Sequence, residues 1–155
     1  MGKRAAYTSL AEQYSGLIAG ETDLIANAAN LAALIYHELP DLNWAGFYFT
    51  RGKELVLGPF QGRVACVRIP WGLGVCGTAA ARGAAVVVPD VNAFPGHIAC
   101  DAASQSELAV PLLRDGKVLG VLDLDSPKPA RFDEADRAGC AQLAAMLVAH
   151  HPDWR

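Results

Sequence analysis

The run Gly96-His97-Ile98-Ala99-Cys100-Asp101-Ala102-Ala103-Ser104-Gln105-Ser106-Glu107 brings together a thiol, an imidazole, two carboxylates and two hydroxyls. It is too polar and too rich in small residues for a buried strand, and it reads as an active loop. Two further thiols, Cys66 and Cys76, lie upstream. Cysteines used this way in an intracellular chain are reactive thiols, metal ligands or redox centres rather than a static disulfide framework. Their spacing contains no C-x-x-C pair, so neither a zinc ribbon nor a thioredoxin-like motif is present. The fourth cysteine, Cys140, falls between Gly139 and Ala141 in a helical pattern and reads as an inert core thiol. The acids form a second group. Asp123 and Asp125 share one face of a strand pattern with Val121, while Leu122 and Leu124 take the other. Two like charges on one face repel, so this pair is expected to be either solvated or held for a cation.

Positioning these groups falls to a chain of 155 residues, a length that fits one domain with a core of its own. The net charge of −3 and the lack of a Lys/Arg cluster argue against nucleic acid as a partner. No apolar run approaches the roughly 18 residues of a membrane span. The basic start, Met1 to Tyr7, runs into Glu12 and Gln13 with no apolar signal region behind it. A cytoplasmic protein is expected.

Leu10, Tyr14, Leu17 and Ile18 mark a first helix that stops at Gly20, and Leu24, Ala28, Leu31 and Ile35 mark a second, capped by Thr22 and ended before Pro40. Trp44 to Thr50 reads as a strand with Ala45, Phe47 and Phe49 on one face and Trp44, Gly46 and Tyr48 on the other. A hairpin at Arg51-Gly52-Lys53 leads to Glu54–Leu57, a connection over Gly58–Gly62, and a third strand from Arg63 to Ile69 carrying Cys66. The glycines around Cys76 resemble a dinucleotide fingerprint but fail its spacing, so a tight turn feeding an Ala-rich helix up to Arg82 is expected. At a helix N-terminus the dipole would lower the Cys76 pKa if the thiol points at it. Ala85–Val88 is a short strand, and the long segment to Gln105 has no sustained period. A hairpin of Glu107–Leu113 and Val118–Asp125 follows, then a helix N-capped by Asp133. The order predicts an α+β fold, a central antiparallel sheet flanked by helices.

Four motifs carry a resemblance: Asn43-Trp44-Ala45-Gly46-Phe47-Tyr48, Gly74-Val75-Cys76-Gly77-Thr78-Ala79, Gly96 to Ser104, and Gly120-Val121-Leu122-Asp123-Leu124-Asp125-Ser126. Together they resemble the GAF-domain free methionine-(R)-sulfoxide reductases over nearly the whole chain. The resemblance implies a single GAF domain over residues 1–155 with no metal and no cofactor. It implies that Cys100 is the nucleophile and takes the sulfoxide oxygen as a sulfenic acid. Cys66 would resolve this as a disulfide, Cys76 would be an auxiliary or alternative partner, and thioredoxin would return the enzyme to the dithiol.

The residues themselves are consistent with those roles. Sulfoxide reduction needs a thiolate, a group that protonates the S–O oxygen, and a second thiol to regenerate the first. Asp125 or Glu107, with a pKa raised by its neighbours, is expected to serve the oxygen, and Asp123 the substrate ammonium. Trp44 and Tyr48 would wall the methyl group. Backbone N–H groups around Ile98, Ala99 and Cys100 would take the carboxylate, and His97 becomes loop support. The free methionine-R-sulfoxide is the expected substrate and a homodimer the expected assembly. The alternatives are a non-catalytic GAF sensor of small ligands and a zinc site of Cys66, Cys76, His97 and Cys100, whose ligand types suit zinc but whose spacing lacks close Cys pairs.

Overall fold

The computed structural model describes residues 2–98, 100 and 102–155. Its elements run α1 (Lys3–Ile18), α2 (Leu24–Glu38), β1 (Trp44–Arg51), β2 (Glu54–Gly62), β3 (Arg68–Pro70), α3 (Gly74–Arg82), β4 (Val86–Val88), β5 (Ser106–Arg114), β6 (Lys117–Ser126) and α4 (Glu134–His150). The strands form one sheet in the order β3-β2-β1-β6-β5-β4, antiparallel at every step. Among the described residues no helix is long and apolar enough to cross a membrane.

The alternation of β1 divides the molecule. Ala45, Phe47 and Phe49 join Leu122 and Leu124 of β6 in a core closed by Leu10, Tyr14, Leu31, Ile35, Leu143 and Leu147 from α1, α2 and α4. Trp44 and Tyr48 point to the opposite face, where Val75, Cys76, Ala79 and Ala80 of α3 pack with Val86, Val88, Ala109 and Val121. The sheet is therefore covered by three helices on one side and by α3 with its flanking loops on the other. That second layer is thin beside β1 and β6, and the site lies there.

Several local features depart from the expected pattern. The cap of α2 is Asp23, whose carboxylate accepts from the Ala26 N–H at 2.9 Å; Thr22 is bypassed because its own N–H and that of Asp23 are taken by Glu21. The expected connection at Gly58–Gly62 is instead the second half of β2. The ladder shifts register between Gly46 and Tyr48, and this bulge accommodates Pro59, which has no N–H to donate, so that Phe60 still pairs with Gly46. The segment expected as a strand from Arg63 is a loop until Arg68, so Cys66 sits on irregular backbone. Among its described residues, the long segment after β4 contains a single 3₁₀ turn, Val91–Ala93, tied to the segment's far end by the Val91 N–H donating to the Gln105 carbonyl at 2.9 Å. As expected, Asp133 caps α4, and Asp136 returns a hydrogen bond to complete a capping box. Cys140 is fully buried in that helix.

Candidate active site

Sheet register assembles the acids. Glu107 of β5 stands directly opposite Asp125 of β6, and Asp125 in turn pairs with Trp44 of β1. One pleat further along, Asp123 lies between Gly46 and Ala109, positions with little or no side chain to fill the space beside it. Glu107 is 8% exposed and Asp123 only 4%. Of the two expected readings of the acid pair, solvated or held for a cation, the first is excluded for Asp123, which the α3 layer covers. Its Oδ1 is buried without a hydrogen-bond partner.

Cys76 enters from above. Gly74 opens α3 with φ +65°, a left-handed conformation suited to glycine, and Gly77 passes the Pro70 carbonyl so closely that a Cβ there would lie 2.4 Å from the oxygen. These contacts press the first turn of α3 onto the sheet, and the Cys76 thiol donates to Glu107 Oε2 at 3.6 Å. The thiol faces the acids and not the helix N-terminus, so the condition for a dipole-lowered pKa is not met. Burial drives the thiol upward, and Asp123, Glu107 and Asp125 add to the shift by making a neighbouring thiolate costly. Glu107 is also held well above the ordinary carboxylate range, by burial first and then by Asp123; Asp123 is raised by burial and by Asp125. The site thus keeps carboxyl protons into a pH range where exposed carboxyls have lost theirs.

Cys66 and Cys100 are joined as a disulfide with their Cα atoms 5.5 Å apart. The loop bearing Cys66 is fastened by main-chain carbonyls. Arg63 O accepts from Trp44 Nε1 at 3.1 Å, Cys66 O from the Tyr48 hydroxyl at 2.9 Å, and Val67 O from the Leu57 N–H at 2.9 Å. On the other side the loop with Cys100 leans on α3, with Ile98 in van der Waals reach of Gly74 and the Gly74 N–H donating to Gly96 O at 3.1 Å. Between the two loops and the sheet lies a cavity of about 40 Å³ lined by, among others, Trp44, Tyr48, Cys100, Glu107, Asp123 and Asp125. Val64, Ala65, His97, Ile98 and Ser104 complete its lining, and no Lys or Arg lines it among the described residues.

The structure therefore gathers Trp44, Tyr48, Cys100, Glu107, Asp123, Asp125 and Ile98 around one space, with Cys66 and Cys76 immediately beside it. Ala99 lies outside the described residues. The Cys100 N–H, expected to face a carboxylate, donates to the Ile98 carbonyl at 3.1 Å in this oxidised form. The four-ligand zinc set is not assembled, since Cys66 and Cys100 are bonded to each other. Cys76, Glu107 and Asp123 do place ligand atoms within 4.8 Å of one another, but the thiol is already engaged with Glu107.

Sequence reasoning missed two contributors. Phe60 stacks on Trp44 with ring centroids 5.2 Å apart, adding to the stack that Trp44 makes with Tyr48 at 5.9 Å. The β2 bulge hid its strand position. Ser104 accepts from Asn43 Nδ2 at 3.1 Å, tying the end of the Cys100 loop to the residue before β1; both belong to motifs already noted, and only the fold pairs them. A buried acid cluster, aromatic walls and a redox-active thiol pair suit a small, cationic, sulfur-bearing ligand that is reduced by two electrons.

Residues 25–149 match the family model described as the GAF domain. The chain is 58% identical to Protein YtsP of Bacillus subtilis over 94% of its own length and 90% of that protein. It is 52% identical to the free methionine-R-sulfoxide reductase of Escherichia coli over 95% of this chain and 89% of the relative. It superposes with a TM-score of 0.94 on the free methionine-R-sulfoxide reductase from Neisseria meningitidis solved in complex with its substrate, at 47% identity, covering 98% of this chain and 92% of that one. With its fold and its cysteines in this arrangement, the chain belongs to the GAF-domain family of free methionine-(R)-sulfoxide reductases.

Proposed function

We propose that this protein reduces free methionine-R-sulfoxide to methionine, as the relatives of that name do. The observation that carries the reading is the Cys66–Cys100 disulfide at the wall of a cavity lined by Glu107, Asp123 and Asp125. A GAF fold alone would serve a sensor as well. Binding a small ligand requires no thiol pair beside the ligand space, whereas thiol-dependent sulfoxide reduction does.

In the reduced enzyme Cys100, as thiolate, attacks the sulfoxide sulfur while a carboxylic acid protonates the oxygen. The S–O bond breaks, the oxygen passes to Cys100 as a sulfenic acid, and methionine leaves with the electron pair as a thioether. Cys66 then attacks the sulfenic sulfur, releasing water and forming the disulfide. Glu107 suits the proton donor, because its burial and the charge of Asp123 hold its pKa well above the ordinary carboxylate range. The unpartnered Oδ1 of Asp123 suits the substrate ammonium, and Asp125 can act with either. Trp44 and Tyr48 wall the methyl group, and Ile98 borders the carboxylate. Cys76, whose thiol is kept neutral by its surroundings and donates to Glu107, is an auxiliary thiol that supports the acid, and Cys66 is the resolving one.

Thioredoxin is the proposed reductant, in a cytoplasmic setting where such dithiols are kept reduced. A homodimer is the proposed assembly; the exposed Leu17 and Ile25 on the helical layer support it, and light scattering of the purified protein tests it. The functional test is NADPH consumption with thioredoxin and thioredoxin reductase. Turnover is expected with free methionine-R-sulfoxide and not with its S epimer or a peptide-bound sulfoxide. Cys100→Ser should abolish methionine release, whereas Cys66→Ser should release one equivalent and stall. Full activity in Cys100→Ser would overturn the assignment.

A further inference from the structure

The disulfide presents two sulfurs to a reductant, and they are not equivalent. Both cysteines are half-buried, but Cys100 lines the substrate cavity, a space of about 40 Å³ too small for a protein to enter. Cys66 is not part of that lining. It lies on the loop before β3, between Val64, which is 87% exposed and reaches the cavity mouth, and Val67, 59% exposed. Valines that open to water are normally isolated; these two flank a half-buried disulfide sulfur.

The outward facing of these side chains follows from the loop's own hydrogen bonds. The carbonyls of Arg63, Cys66 and Val67 are all turned inward onto Trp44, Tyr48 and Leu57. With the backbone pinned through its acceptors, the apolar side chains cannot fold under it. Exposed cations border the same stretch. Arg63 begins it and Arg68 ends it, the latter paired with Glu54, while Lys53 lies over the Trp71 ring 4.8 Å from its centroid. This is a basic rim on a chain whose net charge is −3.

We propose that the loop Arg63–Arg68 is the docking surface for the reducing protein, and that the reductant attacks Cys66 rather than Cys100. The inference rests on the proposed reductase cycle and names how its last step is entered. The occupant is a dithiol oxidoreductase whose attacking thiol is set in an apolar surface with acidic surroundings, complementary to Val64 and Val67 and their basic rim. Its thiolate bonds to Cys66 Sγ, and the Cys66–Cys100 bond breaks with its electron pair on Cys100. The partner's second thiol then attacks its own first sulfur and expels Cys66. The dithiol supplies two electrons and two protons, which end on Cys66 and Cys100. A thiolate approaches along the S–S axis, so attack on Cys66 comes from the side opposite Cys100. The group released is Cys100, the thiol needed for the next sulfoxide.

Two measurements test this. First, oxidised wild-type protein is mixed with thioredoxin whose second active-site cysteine is replaced by serine, and the trapped mixed disulfide is mapped by peptide mass spectrometry. Linkage to Cys66 is expected; linkage to Cys100 overturns the proposal. Second, Val67→Glu is assayed with free methionine-R-sulfoxide under thioredoxin and, separately, under dithiothreitol, which needs no docking surface. The KM for thioredoxin should rise at least fivefold, with the dithiothreitol-driven rate unchanged. An unchanged KM for thioredoxin overturns the docking surface. Failure of the wild type to turn over even with dithiothreitol would instead remove the reductase reading itself.

Discussion

At the scale of single residues the site combines groups that stability alone would not choose. Glu107 faces Asp125 across the ladder and touches the Cys76 thiol, all in a region from which water is largely excluded. Its folded pKa lies above the unfolded value of about 4.3. A group shifted this way contributes stability that is fully present below the unfolded pKa and lost as pH rises through the folded one. A glutamine side chain in its place mimics the protonated acid at every pH. Glu107→Gln should therefore match the wild type in thermal denaturation near pH 4 and exceed its Tm by a few degrees at pH 8. Part of the alkaline slope would persist, because Asp123 is displaced in the same direction. If Glu107 donates the proton to the sulfoxide oxygen, the same variant should lose kcat by about 10²- to 10⁴-fold, the usual range for removing a general acid. A more stable and less active variant is the signature of a residue kept for chemistry. Unchanged alkaline slope and unchanged kcat together would exclude Glu107 from the role.

At the scale of elements, the strand pair β1–β2 carries the aromatic wall. Gly46 lies beneath Phe60 so closely that a Cβ would meet Phe60 Cβ at 2.3 Å and Phe60 Cα at 2.7 Å. Gly46→Ala must therefore part the two strands where Phe60 stacks on Trp44. Overpacking of this kind costs about 1–3 kcal/mol, and the loss of an aromatic stack about 0.5–1.5 kcal/mol more. The expected result is a Tm lower by several degrees, read by circular dichroism, with a raised KM for the sulfoxide. A variant with wild-type KM would remove the Phe60–Trp44 stack from substrate binding. Much of this element was legible in sequence. Period-2 alternation separated Trp44 and Tyr48 from Ala45, Phe47 and Phe49, and it placed Asp123 and Asp125 on one face, because β1 and β6 are central strands with an apolar layer on each side. The second half of β2 was not legible. Gly58-Pro59 is turn chemistry in isolation, and only the partner strand converts it into a bulge. Cys76 shows the same limit. A cysteine in the first turn of a helix suggests a lowered pKa, but whether the thiol faces water or a buried acid cluster is decided by how α3 docks, which no local pattern encodes.

At the scale of the whole molecule, polar clasps at both ends of the helical layer hold the scaffold against which the site is built. At one end the buried Asp136 carboxylate accepts from the Tyr7 hydroxyl at 2.8 Å, Lys3 Nζ at 2.6 Å and Arg131 Nη1 at 3.2 Å, binding α1 to α4. The family model begins only at residue 25, so α1 is joined to the matched region by this chain's own contacts. At the other end Arg114, from the end of β5, donates to the carbonyls of Val148, His151 and Trp154, and His150 Nε2 lies 2.7 Å from the Glu21 carbonyl. There His151, 8% exposed, places its Nε2 at 3.0 Å from Asn27 Nδ2. The same Asn27 amide nitrogen donates to the Glu21 carbonyl at 3.1 Å, which fixes its orientation. His151 Nε2 must then be the acceptor, and it can accept only while unprotonated. Burial, then the neighbouring His150 and, more weakly, Arg114 hold its pKa down, with Asp23 opposing them. A depressed folded pKa contributes stability that is present above the unfolded value of about 6.5 and lost as pH falls through the folded one. Wild-type Tm should therefore decline as pH is lowered from 7 toward 5. His151→Gln keeps an acceptor that does not titrate, so its Tm should decline less over that window. Equal slopes in the two proteins would place the acid sensitivity elsewhere. A shallower slope would assign it to this clasp, 124 residues apart in sequence, which holds α2 to the end of α4.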